Sequence, residues 1–118
     1  MSETFGSFVK GRREELKKGD RRYSQRQVAM RIGVEPSYLS KLERGEPVYL
    51  SEEKVVALAH ELEVDADVLL ALHGKVSGDL MEVIRRRPQL FAELLRELKD
   101  LPDHAVLRLV REVRDGDW

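Results

Sequence analysis

The chain has 118 residues, 42% hydrophobic and 36% charged, with a formal net charge of −1 and no cysteine. That length allows one ordinary domain, or a compact domain of about 70 residues with an appendage, and leaves little room for a large catalytic cleft. Without cysteine there is neither a disulfide framework nor a thiolate metal site; with a polar N-terminus and no apolar run near the roughly 20 residues a bilayer needs, a cytoplasmic protein with no membrane partner is expected.

The net charge hides an asymmetry. Residues 1–50 carry eleven Lys and Arg against seven Asp and Glu, whereas residues 51–118 carry ten against fifteen. Charge acts locally, over about 8–10 Å at physiological salt, so a basic first half suits a polyanionic partner whatever the total.

Phe5, Phe8, Val9 and Leu16 make the apolar stripe of a first helix, which Gly19-Asp20 ends. Lys17, Lys18, Arg21 and Arg22 crowd the loop after it, either as a solvated surface or as phosphate contacts. Ser24 caps a second helix, Gln27 completes a capping box, and Tyr23 and Val28 stand where a hydrophobic staple would. Val28, Ala29 and Ile32 follow at helical spacing, and Gly33 supplies the left-handed backbone of a sharp stop. In a third helix Glu35 is the cap and Pro36 takes the first helical position, where its missing N–H costs nothing. Leu39 and Leu42 face inward, while Ser37, Lys41 and Arg44 recur on the opposite side, flanked by Tyr38 and Ser40, before Gly45 ends the helix. Ser51 opens a fourth helix through Leu62, with Glu52 and Glu53 at its positive end. Asp65 caps a fifth, through Val68, Leu69 and Leu72, which Gly74 closes.

After a link at residues 75–78, Asp79 caps a helix carrying Leu80, Val83 and Ile84, and Pro88 breaks or restarts it. Phe91, Leu94, Leu95 and Leu98 then fall at helical spacing, as do Val106, Leu109, Val110 and Val113 after a cap at Asp103. These two amphipathic helices form a hairpin that cannot bury both stripes alone. It requires its own first domain, a second copy or another protein, and dimerisation is the economical answer. The expected organisation is all-α: a domain at 1–74, a linker at 75–78 and a helical dimerisation or partner-binding region at 79–118.

Taken together, residues 24–45 resemble the helix-turn-helix of the Xre family, the group of the phage lambda repressor and Cro. Gln25, Val28-Ala29, Gly33-Val34, Ser40, Leu42-Glu43 and Gly45 fall in the family pattern without a gap, and the similarity runs from about Phe5 to Leu72. The resemblance implies a five-helix lambda-repressor-like DNA-binding domain and a homodimeric repressor on a palindromic operator in double-stranded DNA, autoregulating its own promoter. It implies base reading by Ser37, Tyr38 and Lys41, with Glu35 at the helix mouth, and phosphate contacts by Gln25, Ser40 and Arg44 together with Arg22 and Arg26. Lys41 suits guanine O6 or N7, Ser37 donates or accepts, and Tyr38 offers a ring edge to a thymine methyl or a hydroxyl to phosphate. The plainer alternatives are that Tyr38 packs against the neighbouring helix and Ser40 merely tolerates its position. Pro36 stands where relatives carry glutamine, so their base preference does not transfer. In the family the acid at the Glu43 position pairs with a basic residue of the first helix, here Arg13.

Beyond Leu72 the chain is similar to the C-terminal helices of operon-specific repressors, some encoded beside a metallopeptidase or a toxin. The alternative is therefore an antitoxin-like or peptidase-regulated switch whose hairpin binds a partner protein. Either way the contact face would be Phe91, Leu94, Leu95, Leu98, Val106, Leu109, Val110 and Val113. His60, His73 and His104 are scattered, and no Gly-rich phosphate loop or nucleophile motif occurs, so no enzyme activity, metal or cofactor is expected.

Overall fold

The computed structural model describes residues 4–118, so the first three residues of the expected 1–74 domain lie outside the described residues. Eight α-helices and one 3₁₀ turn account for the regular structure, with no strand among the described residues, and the fold is all-α. The chain divides into a first unit ending at Ser77 and a second spanning Gly78–Trp118.

The first unit contains α1 (Phe5–Lys17), a 3₁₀ turn (Arg21–Tyr23), α2 (Gln25–Ile32), α3 (Pro36–Glu43), α4 (Glu52–Glu61) and α5 (Ala66–Leu72). Each start has a local cause. The side chains of Thr4, Ser24, Ser51 and Asp65 accept the N–H three residues on, at 3.1, 3.2, 3.2 and 3.1 Å. Only half of the expected box at Ser24 forms, because the Ser24 N–H already donates to the Arg21 carbonyl at 3.2 Å and closes the 3₁₀ turn. Glu35 occupies the cap position of α3 but makes no side-chain cap hydrogen bond. It is one methylene longer than the favoured aspartate, while Pro36 at the first helical position leaves no unsatisfied N–H there. Gly33, at φ 77°, and Gly45, at φ 82°, take the left-handed conformation that ends α2 and α3.

Helix α1 packs on α3, α2 on α3 and α4, and α4 on α5, around side chains such as Val9, Val28, Leu58 and Leu69, all 0% exposed. Two cations then cap helix ends from a distance. Arg12 Nε donates to the Leu62 carbonyl at 2.9 Å, and Lys54 Nζ to the Ile32 carbonyl at 2.9 Å, satisfying acceptors that a helix terminus leaves open. At Gly6 α1 comes so close to the end of α3 that an added Cβ would collide with the Leu42 carbonyl oxygen.

The second unit holds three helices, α6 (Gly78–Arg86), α7 (Pro88–Leu98) and α8 (Asp103–Asp115), of which α7 and α8 are the two expected to form the hairpin. Pro88 restarts the chain as the first residue of α7, since proline is favourable there and forbidden a turn later. Asp79 and Asp103, expected as caps, lie inside the first turns of α6 and α8. Residues 75–77, between α5 and α6, have no regular structure. A carboxylate in the first turn still faces the positive helix end, so its preference is met on either side of the boundary. All three helices are strongly amphipathic, yet none of the residues 78–118 is buried. Leu94 and Leu98 of α7 and Val106, Leu109, Val110 and Val113 of α8 line an open apolar groove of about 420 Å³.

Candidate nucleic-acid interface

The geometry of α3 follows from what holds its inner side. Leu39, Leu42 and Glu43 are buried there, and Glu43 is the unusual member. Arg13 meets it through two hydrogen bonds, Nε to Oε2 at 2.7 Å and Nη2 to Oε1 at 2.9 Å, with the side chains 5% and 1% exposed. Gln25 Nε2 donates to Glu43 Oε1 at 2.9 Å, and Arg13 Nη1 donates to the Tyr23 carbonyl at 3.0 Å. One carboxylate therefore ties α3 to α1 and to the first residue of α2. A fork-to-fork pair, with each of the three guanidinium nitrogens donating one hydrogen bond, fixes orientation as well as distance.

With its inner face locked, α3 exposes Glu35, Ser37, Lys41 and Arg44, while Tyr38 and Ser40 are half-buried. Lys41 and Ser37 contact no other side chain through a polar atom among the described residues, and Glu35 has no cap bond to make. Tyr38 sits differently from the expectation. Its hydroxyl accepts the Tyr49 N–H at 3.0 Å and donates to the Tyr49 carbonyl, and its ring packs against the core. The hydroxyl is thus occupied by the loop after α3, which leaves the ring edge as its outward chemistry.

The residues expected to contact phosphate differ in what already holds them. Gln25 commits one amide hydrogen to Glu43 and retains the second. Arg26 is exposed. Arg22 Nε is 2.9 Å from Asp20 Oδ2, and Asp20 also accepts the Arg22 N–H at 2.8 Å. The backbone N–H, then the guanidinium, hold the Asp20 carboxyl below its ordinary value, and Asp20 in turn raises Arg22. Arg44 reaches Ser40 Oγ at 2.6 Å and Glu46 at 2.6 and 2.8 Å. These exposed pairs are weak enough to exchange for a phosphate.

Four supporting residues take partners that local spacing does not reveal. His73 is the C-cap of α5; its Nε2 accepts the Leu50 N–H at 3.1 Å, and its ring lies 4.3 Å from that of Phe5. Burial, reinforced by the Lys75 ammonium, lowers the His73 pKa. Arg12, Lys54 and Tyr49 were given no role. Their partners lie 50, 22 and 11 residues away, beyond any local spacing rule.

A glycine-turned pair of helices, locked from beneath and carrying polar and basic groups outward, defines a DNA-binding protein of the helix-turn-helix class. A family model described as a helix-turn-helix domain matches residues 4–72, more than half of the chain, and the chain belongs to that family. The match runs from the cap of α1 to the last residue of α5. Comparison with curated proteins and with solved structures gave no match. Among the described residues no helix is long and apolar enough to cross a membrane.

Proposed function

We propose that the protein is a sequence-specific transcriptional repressor of the lambda-repressor (Xre) type, acting in the cytoplasm as a homodimer on a palindromic operator in its own promoter. The observation that carries this reading is the exposed face of α3, with Ser37 and Lys41 free to meet base edges while Arg13, Glu43 and Gln25 hold the helix rigid from behind. Ser37, Lys41, Glu35 and the Tyr38 ring edge would read bases; Gln25, Arg26, Arg22, Ser40 and Arg44 would fix register on phosphates. Repression would follow from occluding polymerase, and the function is binding without catalysis.

The dimer would form through α7 and α8, whose apolar faces stay open within one chain. Contiguous exposed apolar surface of this kind marks an interaction site. Two-fold symmetry would set two copies of α3 about 34–36 Å apart, one turn of DNA. The rival occupant of the groove is a toxin or peptidase, in which case the protein is a partner-regulated switch. Fluorescence-anisotropy titration against tiled duplexes from the upstream region, with scrambled competitor at physiological salt, tests the reading. Tight binding to one palindromic tile is the expected result; weak binding uniform across tiles refutes it and favours the partner-regulated switch.

A further inference from the structure

Tyr49 and Lys75 have no place in the interface assembled so far. Tyr49 lies in the loop between α3 and α4, and both of its main-chain polar groups are fastened to the Tyr38 hydroxyl of α3. The residue is nonetheless 66% exposed. It shares a cleft of about 300 Å³ with Val34, Glu35 and Tyr38, so it stands at the mouth of α3, beside the groups expected to meet bases. Lys75, beyond the end of α5, brings its ammonium 3.8 Å from the centroid of that ring and donates to the phenol oxygen. The His73 ring lies 5.9 Å from the Tyr49 ring, with the Leu50 N–H on its imidazole.

The chemistry of this cluster is that of an anion contact. A tyrosine hydroxyl that accepts from Lys75 keeps its own proton to donate, and the ammonium retains two further N–H groups. The cation is positioned over the ring in advance, which lowers the ordering cost of a contact. The charge balance of the interface also calls for it. The α2 side carries the cations Arg21, Arg26 and Arg22, the last paired with Asp20 at 2.9 Å, whereas residues 44–50 after α3 carry Arg44 alone, paired with Glu46 at 2.6 Å. Glu35 on the same cleft disfavours a free anion, so the fitting ligand is a phosphate delivered as part of a duplex.

We propose that Lys75 and Tyr49 form a phosphodiester contact for double-stranded DNA on the loop side of α3. The proposal rests on the DNA-binding reading above. It is tested on the full chain with a labelled mixed-sequence duplex, because a phosphate contact is independent of sequence. Affinity is measured between about 50 and 200 mM salt; losing one contact lowers the log–log slope by about 0.9, so wild type should lose about 3.5-fold more affinity than Lys75→Gln over that range. Lys75→Arg should restore the slope, and Lys99→Gln, the same charge change in the second unit, should leave it unaltered. An unchanged slope in Lys75→Gln overturns the proposal, as does an equal change in Lys99→Gln or a failure of Lys75→Arg to restore it. Failure of the wild type to bind any duplex removes the DNA-binding reading itself, a different outcome from wild-type binding that is indifferent to Lys75.

Discussion

Replacing Glu43 by alanine should remove about half or more of the stability of the first unit. The substitution removes three hydrogen bonds, from Arg13 at 2.7 and 2.9 Å and from Gln25 at 2.9 Å. It leaves a guanidinium whose side chain is only 5% exposed, with no counter-charge and little access to water. Breaking a buried pair on one side costs about 3–5 kcal/mol, and the orphaned Gln25 amide places this case toward the upper end. A domain of about 70 residues has a total stability of about 4–10 kcal/mol, so the variant loses about half of it or more. At about 4–8 °C per kcal/mol for this size, the melting temperature should fall by at least 12 °C or so. Urea and thermal unfolding followed by helical circular dichroism measure both quantities. Arg13→Met combined with Glu43→Leu should recover most of the loss, because removing both charges also removes the desolvation penalty. A Glu43→Ala variant within about 1 kcal/mol of wild type, or a double variant no better than the single one, refutes the reasoning.

Gly6→Ala should cost about 1–3 kcal/mol, since its Cβ would press on backbone that cannot yield, with the Leu42 carbonyl carbon at 3.3 Å and Glu43 Cα at 3.4 Å. Gly11→Ala in the same helix meets nothing within 4 Å and should stabilise by about 0.5–1 kcal/mol; thermal melts distinguish the two. Because folding lowers the His73 pKa below its ordinary 6.5, the unfolded chain takes up the proton first. Stability should therefore be lost as pH falls through 6.5 toward the folded value, and His73→Gln should flatten that part of the urea-midpoint profile. If α7 and α8 form the proposed dimer, Leu94→Asp or Val110→Asp, at residues 48% and 50% exposed, should yield a monomer in sedimentation and weaken DNA binding. Lys41→Ala should cost about 1–3 kcal/mol at a single operator position, whereas Arg44→Ala should weaken all sequences alike and lower the salt slope by up to about one; the reverse pattern would exchange their roles.

The helix-turn-helix was legible because its signals are local. Ser24, Gly33, Pro36 and Gly45 act on their own backbone within one turn, and the inward positions Val28, Ile32, Leu39 and Leu42 repeat with the helix itself. Boundaries failed where two residues compete for one role. Asp79 and Asp103 are favourable as caps and within first turns alike, and the Ser24 N–H is claimed by the 3₁₀ turn before Gln27 can reach it. Tyr38 shows the other kind of miss: its place on the outer flank of α3 was readable, but not that the loop eleven residues on would take its hydroxyl.

The sequence by itself therefore determined the all-α class, the order and approximate ends of the helices, and which face of each is apolar, since these depend on backbone chemistry within four residues. Only the tertiary structure decided which charges are neutralised and which stay available. Arg12 and Lys54 became caps for distant helices, Arg31 went to Glu61 at 2.6 Å, and Lys75 settled over Tyr49, while Lys41 stayed exposed. Long flexible cations carry no local conformational signature, and their partners are set by how helices many residues apart come to pack.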